Sequence, residues 1–311
     1  MISFRSHVVS LVAVFLALAI GVVLGAGPLQ RDEAAVGAGD TDAEALAAAD
    51  QRIAELQRGR SFNDAFARAT ADELVGDSLR RRAVTVVTLP GADPDQVTRA
   101  VALVQRAGGT LAARVELTDK LVDVANRKLV EELTDQLLSS EDQPLPGGQA
   151  SSGYVRVGQL LGFVLTTSKD KGAPPARGAA PVLASLTTAG LVSVTGQVQR
   201  RGSLVLVVAG EPTGTADQRQ GAGDIVTAVA RSLDEASDGV VVAGPLASGA
   251  KDGVLGALRA SPTAQLVSTV DVSELGAGAI LSVLALRAQA DGDTLQLGSS
   301  SSADGAFPGA K

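Results

Sequence analysis

The longest apolar segment of the sequence lies at its beginning. Residues 8–29 contain 22 amino acids without a charged side chain. As an α-helix, at about 1.5 Å per residue, this segment would extend roughly 33 Å, enough to cross the hydrocarbon core of a bilayer. A cleaved signal peptide, the alternative, has a shorter apolar region of about 7–15 residues, and here Pro28 directly follows the best cleavage site. The pattern therefore predicts a cytoplasmic tip and an uncleaved transmembrane anchor over residues 1–30.

Two further features of this segment predict its orientation and its contacts. Arg5 and the chain amine precede the apolar run, which by the positive-inside rule predicts a cytoplasmic N-terminus and an extracytoplasmic body. Small residues recur at every fourth position, and in lipid such residues allow two helices to approach closely. We therefore expect contact with membrane lipid and self-association through Ala13, Ala17, Gly21 and Gly25.

A second apolar pattern follows in residues 31–82. After a short Gly/Ala/Asp spacer, apolar residues alternate at spacings of three and four, the pattern of a coiled-coil seam. It predicts a helical stalk that pairs as a parallel homodimer through Leu46, Ile53 and Leu56. An amphipathic helix that packs on its own domain is the alternative interpretation.

From residue 83 the pattern alternates between short β-branched runs and segments of helical period. The first run, residues 84–89, ends at Pro90, and a capping Asp93 followed by Pro94 then starts a helix. Such alternation predicts a three-layer α/β domain over residues 83–298 with a mostly parallel sheet of about five strands. The strands are predicted at 84–89, 110–117, 203–209, 239–243 and 265–272, and the helices at 94–107, 118–138, 155–167, 181–189, 218–236, 250–260 and 276–290.

Polar composition predicts three irregular segments. Residues 139–153 and 168–181 are rich in proline and glycine and are predicted to be mobile loops. Residues 299–311 are predicted to be a disordered tail.

The residue inventory limits the chemistry of the body. The chain has no cysteine, its one histidine is His7, and its one methionine is Met1. A Ser-His-Asp triad, a Cys-His pair or a thiolate metal site therefore cannot form within the body of one chain. The net charge of −7 and the scarcity of aromatic residues disfavour nucleic acid as a partner. We accordingly predict no catalytic residue, no metal ligand and no cofactor.

Three predicted strands end in similar glycine- and proline-containing turns. In an open parallel sheet, ligands bind beyond the carboxyl ends of the strands, where small residues allow the main chain to approach a ligand. The candidate rim for a ligand or partner consists of Pro90, Gly91, Gly210, Glu211, Gly244 and Pro245.

Several blocks resemble the actinobacterial copper transporter family MctB. Residues 6–25 (SHVVSLVAVFLALAIGVVLG) are similar to its N-terminal signature, and later blocks are similar at residues 86–93, 117–120, 268–271 and 283–286. One departure is that the family's Gly-His-Tyr-Gly-like segment is replaced here by ADGDTLQLG at residues 290–298. The resemblance implies a role in copper transport at the cell envelope, with an outer-envelope location for some relatives. Relatives named SteB are linked to cell-envelope separation.

The ligand chemistry of copper qualifies this implication. Copper(I) prefers the sulfur of Cys or Met and copper(II) prefers imidazole, and the body has none of these groups. A copper role would therefore be indirect or would involve weak contacts with carboxylates. The alternative is a non-catalytic dimeric scaffold or regulator of cell-envelope separation, acting with another envelope protein and without direct copper chemistry. A hydrolase without a cofactor is a third class, to which no spacing of residues points.

Overall fold

The computed structural model describes residues 35–138 and 152–307. The chain divides into one unit ending at Ser61 and a second unit beginning at Phe62. Helix α1 (Ala35–Val75) provides all the described residues of the first unit. The predicted anchor, including Ala13, Ala17, Gly21 and Gly25, lies outside the described residues. Among the described helices, none has the length and apolar character that a membrane crossing requires.

Within the described residues, the second unit is built on one mixed sheet of seven strands. All neighbouring strands pair in parallel except β3, which is antiparallel to β2. Their order across the sheet is β3-β2-β1-β4-β5-β6-β7, so the direction of winding reverses between β1 and β4. The strands are β1 (Ala83–Thr88), β2 (Thr110–Leu117), β3 (Val192–Val194), β4 (Leu204–Val208), β5 (Val240–Ala243), β6 (Ser268–Val270) and β7 (Gln296–Leu297).

Helices connect the strands and cover both faces of the sheet. Helix α2 begins as predicted, because the Asp93 carboxylate accepts a hydrogen bond from the Asp95 N–H and Pro94 occupies the first turn. The helices after α1 are α2 (Pro94–Arg106), α3 (Asp119–Val122), α4 (Arg127–Leu138), α5 (Gly153–Leu165), α6 (Ala179–Thr188), α7 (Ala216–Asp234), α8 (Val254–Arg259) and α9 (Gly276–Ala290).

The side chains of the central strands alternate between two cores. On β4, Leu204, Leu206 and Val208 pack with residues of α1, α2 and α9, whereas Val205 and Val207 pack with residues of α3 to α8. This alternation follows from the two-residue period of a strand that is buried on both faces. The prediction of a three-layer α/β domain with a mostly parallel sheet is therefore confirmed.

Several sequence predictions require correction. In the part of the chain that the structure describes, the sheet has seven strands rather than about five, because β3 and β7 are too short to produce a sequence pattern. The helix predicted over 118–138 is interrupted, since the Asp123 side chain accepts a hydrogen bond from the Ala125 N–H and starts a 3₁₀ turn (Val124–Asn126). The helix predicted over 250–260 begins only at Val254, after a second 3₁₀ turn (Leu246–Gly249).

The prediction of a disordered tail from residue 299 is wrong for its described part. Asp271 accepts hydrogen bonds from the Ser299 N–H at 2.7 Å and from Ser300 Oγ at 2.5 Å. The Gly298 N–H also donates to the Gly305 carbonyl at 2.9 Å. We call residues 296–305 the C-terminal strap, because they are held on the sheet by residues distant in sequence.

The two predicted loops have different outcomes. Residues 139–151, nearly all of the first, lie outside the described residues. In the second, Ala173 and Arg201 exchange two main-chain hydrogen bonds, at 2.7 and 3.2 Å, and α6 already begins at Ala179. Its mobility stays a prediction.

Candidate functional site

A cavity of about 90 Å³ opens at the carboxyl ends of β1 and β4, where the winding of the sheet reverses. This is the position at which open α/β sheets commonly bind ligands. Its lining comes from the turns after β1 and β4, from α3 and α7, and from the segment before α8. The main contributors are Leu89, Pro90, Asp119, Val122, Ala209–Thr213, Arg219, Val226 and Asp252–Val254.

Two glycines allow the turns after β1 and β4 to meet. A Cβ atom on Gly210 would lie only 2.2 Å from the carbonyl carbon of Gly91, so a side chain cannot be accommodated there. Gly91 adopts a φ of +73°, a conformation that favours glycine. The close approach of these main chains forms one wall of the cavity.

The charged lining consists of three carboxylates and one guanidinium. Arg219 donates to Asp252 from Nε at 2.9 Å and to the Gly214 carbonyl from Nη1 at 2.6 Å. The hydrogen bond from Arg219 is the main cause that lowers the pKa of Asp252. With three acidic side chains and one basic side chain, the lining has an excess of acidic groups. It suits a ligand or partner group that is positively charged or that donates hydrogen bonds.

The predicted rim residues occupy three different environments. Pro90, Gly210 and Glu211 line the cavity, and Gly91 packs against Gly210. Gly244 and Pro245, by contrast, are buried and do not contribute to the lining. A Cβ atom on Gly244 would lie 2.4 Å from Ser248 Oγ, which gives this glycine a packing role. Ligand binding at the rim stays a prediction.

Sequence reasoning did not identify Asp119, Arg219 and Asp252 as cavity residues. Asp119 could have been found, since it lies two residues after the end of strand β2 and therefore at the same edge of the sheet. Arg219 lies in the first turns of α7, after the Thr215 capping box, and Asp252 precedes α8. Their pairing depends on the packing of α7 beside α8, which no local pattern shows.

The predicted stalk residues are exposed on α1. Leu46, Ile53 and Leu56 are 65%, 52% and 68% exposed. Helical geometry there agrees with the sequence pattern, whereas pairing with a second copy stays a prediction.

Among the described residues, no group of three or more His, Cys, Asp or Glu side chains is arranged to hold a metal ion. His7 and Met1 lie outside the described residues. The cavity therefore presents three carboxylates, one guanidinium and main-chain groups. These groups are suited to binding a ligand.

The whole-chain comparison gives the family. Residues 1–308 match the family described as "Copper transport outer membrane protein, MctB". This chain belongs to the MctB family. It is 30% identical to the copper transporter MctB of Mycobacterium tuberculosis (strain H37Rv) over 299 residues, and 30% identical to that of Mycobacterium leprae (strain TN) over 310 residues. Each alignment covers 92% of both proteins. The resemblance inferred from the sequence blocks is thus confirmed.

Proposed function

We propose that this protein takes part in copper transport at the cell envelope and that its α/β unit contributes by binding a ligand or partner protein. The observation that carries the copper role is the family match over residues 1–308. The relatives that align with nearly the whole chain are also named copper transporters. The cavity at the winding reversal of the sheet supports the binding role.

The residues of the α/β unit argue against direct coordination of copper by that unit. The chain contains no cysteine, and neither histidine nor methionine occurs after His7. Carboxylates, which are hard oxygen ligands, are poor competitors for copper(I) against thiolates and thioethers. In our proposal, another envelope protein therefore supplies the copper ligands, and this chain organises or regulates that protein.

The same inventory supports a role other than catalysis. Activation of a Ser or Cys nucleophile commonly needs a histidine base, and the only histidine precedes the proposed anchor. In the cavity, Arg219 is held by Asp252 and by a main-chain carbonyl. We therefore propose a non-enzymatic protein that is anchored by residues 1–30, with its N-terminus in the cytoplasm and its α/β unit outside.

The copper role can be tested by deleting the gene in its host and measuring cellular copper by mass spectrometry. We expect the copper content to change on deletion and to be restored by the wild-type gene and by His7→Ala. Arg219→Glu, which adds a fourth carboxylate to the three that line the cavity, should fail to restore it. Protein abundance and the melting temperature of Arg219→Glu must match the wild type for this comparison. An unchanged copper content after deletion would refute the copper role.

A second candidate function is a dimeric scaffold in cell-envelope separation. The exposure of Leu46, Ile53 and Leu56 on one helix favours it, because an unpaired apolar seam in water is costly. The same deletion strain tests it by microscopy. If Leu56→Asp restores copper content but leaves daughter cells joined, the dimer serves separation. If Leu56→Asp restores both the copper content and the separation of daughter cells, the exposed seam serves neither function.

A further inference from the structure

A large groove lies at the β3 edge of the sheet, formed by different residues from the cavity described above. Its volume is about 680 Å³. The walls come from helix α6, strand β3 and the segments on either side of them. Most of the lining is apolar, and it includes Val164, Pro175, Ala180, Leu183, Val194 and Val198.

The chain segments that line this groove are rich in positive charge. Between residues 166 and 202 the chain has five cationic side chains and a single acidic one, Asp170, although the whole chain has a net charge of −7. We call these five residues the basic cluster: Lys169, Lys171, Arg177, Arg200 and Arg201. Arg177 lies between the groove residues Pro175 and Ala179, and Arg200 lies two residues after Val198.

The positive charge of the basic cluster is not neutralised by carboxylates within the described residues. Asp170 is paired with Arg82, at 3.0 Å, and not with the cluster. Arg200 donates to the Lys171 carbonyl at 2.6 Å, and Arg201 donates to the Pro174 carbonyl at 3.1 Å. Main-chain carbonyls orient these guanidinium groups but leave their charge available, so the surface is complementary to an acidic partner.

Strand β3 adds main-chain groups to the same surface. The Thr195 N–H donates to the Arg114 carbonyl and the Thr118 N–H donates to the Leu191 carbonyl, both at 3.1 Å. Because hydrogen-bonded residues alternate along an antiparallel pair, the N–H and C=O of Val194 point away from β2. Val194 is partly exposed and lines the groove. An extended chain could therefore pair with this edge.

We propose that the groove, the β3 edge and the basic cluster form a docking surface for an extended, acidic and apolar segment of a partner protein. The alternation of side chains along a strand places apolar side chains in the groove and carboxylates on the basic cluster, while the main chain pairs at Val194. The test involves neither copper nor the cavity, so its outcome is independent of the proposed function.

The probe is a fluorescent peptide of about ten residues in which valine and glutamate alternate. Its binding to the full-length protein in detergent micelles can be followed by fluorescence anisotropy. We expect saturable binding that weakens as salt is added, and no binding of the matched valine–lysine peptide. Arg177→Glu combined with Arg200→Glu should weaken binding by about tenfold or more, because both reverse the sign of the charge beside groove residues.

A matched control separates this surface from a general charge effect. Arg68 and Arg99 are also exposed, and they lie on α1 and α2, on the other layer of the fold. Arg68→Glu combined with Arg99→Glu makes the same change in net charge and should leave peptide binding unchanged. Equal weakening by the two double variants would overturn the proposal.

Two further variants test the groove and the strand edge separately. Ala184 is exposed and lines the groove, so Ala184→Trp should fill it and abolish binding, whereas Ala184→Ser should not. Val194→Pro removes the outward N–H while the pairing with β2 is kept, a replacement that edge strands tolerate. It should abolish binding with an unchanged melting temperature. Wild-type affinity in a folded Val194→Pro or Ala184→Trp variant would overturn the proposal, as would binding to phosphatidylglycerol vesicles without binding to the peptide.

Discussion

Two Arg–Asp pairs at neighbouring positions of the fold have the same chemistry but very different surroundings. Arg219 and Asp252 in the cavity keep 28% and 34% of their side chains exposed. Arg259 and Asp271, which hold the C-terminal strap, keep only 3% and 0%. Arg259 also donates to Thr269 Oγ1 at 2.7 Å and to the Leu297 carbonyl at 2.9 Å.

This difference in burial assigns the two pairs different roles. A buried charge that loses its partner is strongly destabilising, whereas an exposed pair contributes little to stability. The Arg259–Asp271 pair is therefore structural and fixes the strap to the sheet. The Arg219–Asp252 pair remains accessible from solvent and can be rearranged or contacted by a bound ligand.

The largest expected effect on stability follows from Asp271→Ala. It leaves Arg259 buried without a carboxylate, and we expect a loss of about 3–5 kcal/mol in the free energy of unfolding. Denaturant unfolding measures this loss. Asp304→Ala, an exposed position in the same strap, is the control and should cost little. A loss below about 1 kcal/mol in Asp271→Ala, the range of exposed pairs, would show that burial does not separate the two pairs.

The same pair predicts sensitivity to acid. Burial alone would raise the pKa of Asp271, but hydrogen bonds from Ser300 and Arg259 outweigh it and hold the pKa below its ordinary value. Because the folded state favours the ionised carboxylate, the stabilisation is present above the unfolded-state pKa and is lost as the pH falls through the folded-state pKa. The stability difference between wild type and Asp271→Asn should therefore shrink in acid.

A smaller effect of opposite sign is expected at Asp234. Burial, followed by the neighbouring charge of Glu235, raises the pKa of Asp234 to about 6. Ionised Asp234 therefore destabilises the fold. The destabilisation increases as the pH rises from the ordinary pKa of an aspartate towards 6. Because Asp234 is only partly buried and solvent screens its charge, Asp234→Asn should stabilise the protein by on the order of 1 kcal/mol at neutral pH and not at pH 4. Equal effects at both pH values would contradict this assignment.

Asp252→Ala should leave the melting temperature nearly unchanged, because its pair is accessible to solvent. In the deletion strain, however, it should fail to restore the copper content, since it removes one of the cavity carboxylates. A destabilisation as large as that of Asp271→Ala would show that the cavity pair is structural too.

Leu56→Asp should have the smallest effect on the stability of the α/β unit. Its effect is expected in oligomeric state, because a charge in a seam that excludes water weakens pairing. Light scattering of the full-length protein in detergent should show a lower mass for Leu56→Asp, whereas Gln57→Asp, a polar neighbour, should keep the dimer. Equal masses for both variants and the wild type would remove the stalk as a dimer contact.

Sequence pattern predicted the elements whose signals are local. Strand β2 has the predicted bounds, Thr110–Leu117, because two glycines precede it and the start of helix α3 follows it. Helix α9 likewise begins at Gly276 and ends at Ala290 as predicted. In both elements, the residues that signal the start and the end lie within a few positions of those boundaries.

The elements that depend on distant partners could not be predicted in this way. Serines 299–302 have the composition of a disordered tail, and groups distant in sequence order them, namely Asp271, Arg259 and the Gly249 carbonyl. The buried Gly244 has the same local pattern as the cavity residue Gly210, so composition alone could not separate packing from exposure. The missed cavity residues Arg219 and Asp252 meet only through the packing of two helices.

This member of a copper transport family lacks the sulfur and imidazole ligands of copper in its α/β unit. The most direct measurement is copper bound per chain, determined by mass spectrometry and competition titration on the full-length protein in detergent, for wild type and His7→Ala. We predict no stoichiometric, tight copper(I) binding in either protein, and the loss of any copper(II) binding in His7→Ala. Stoichiometric submicromolar copper(I) binding that persists in His7→Ala would contradict the account.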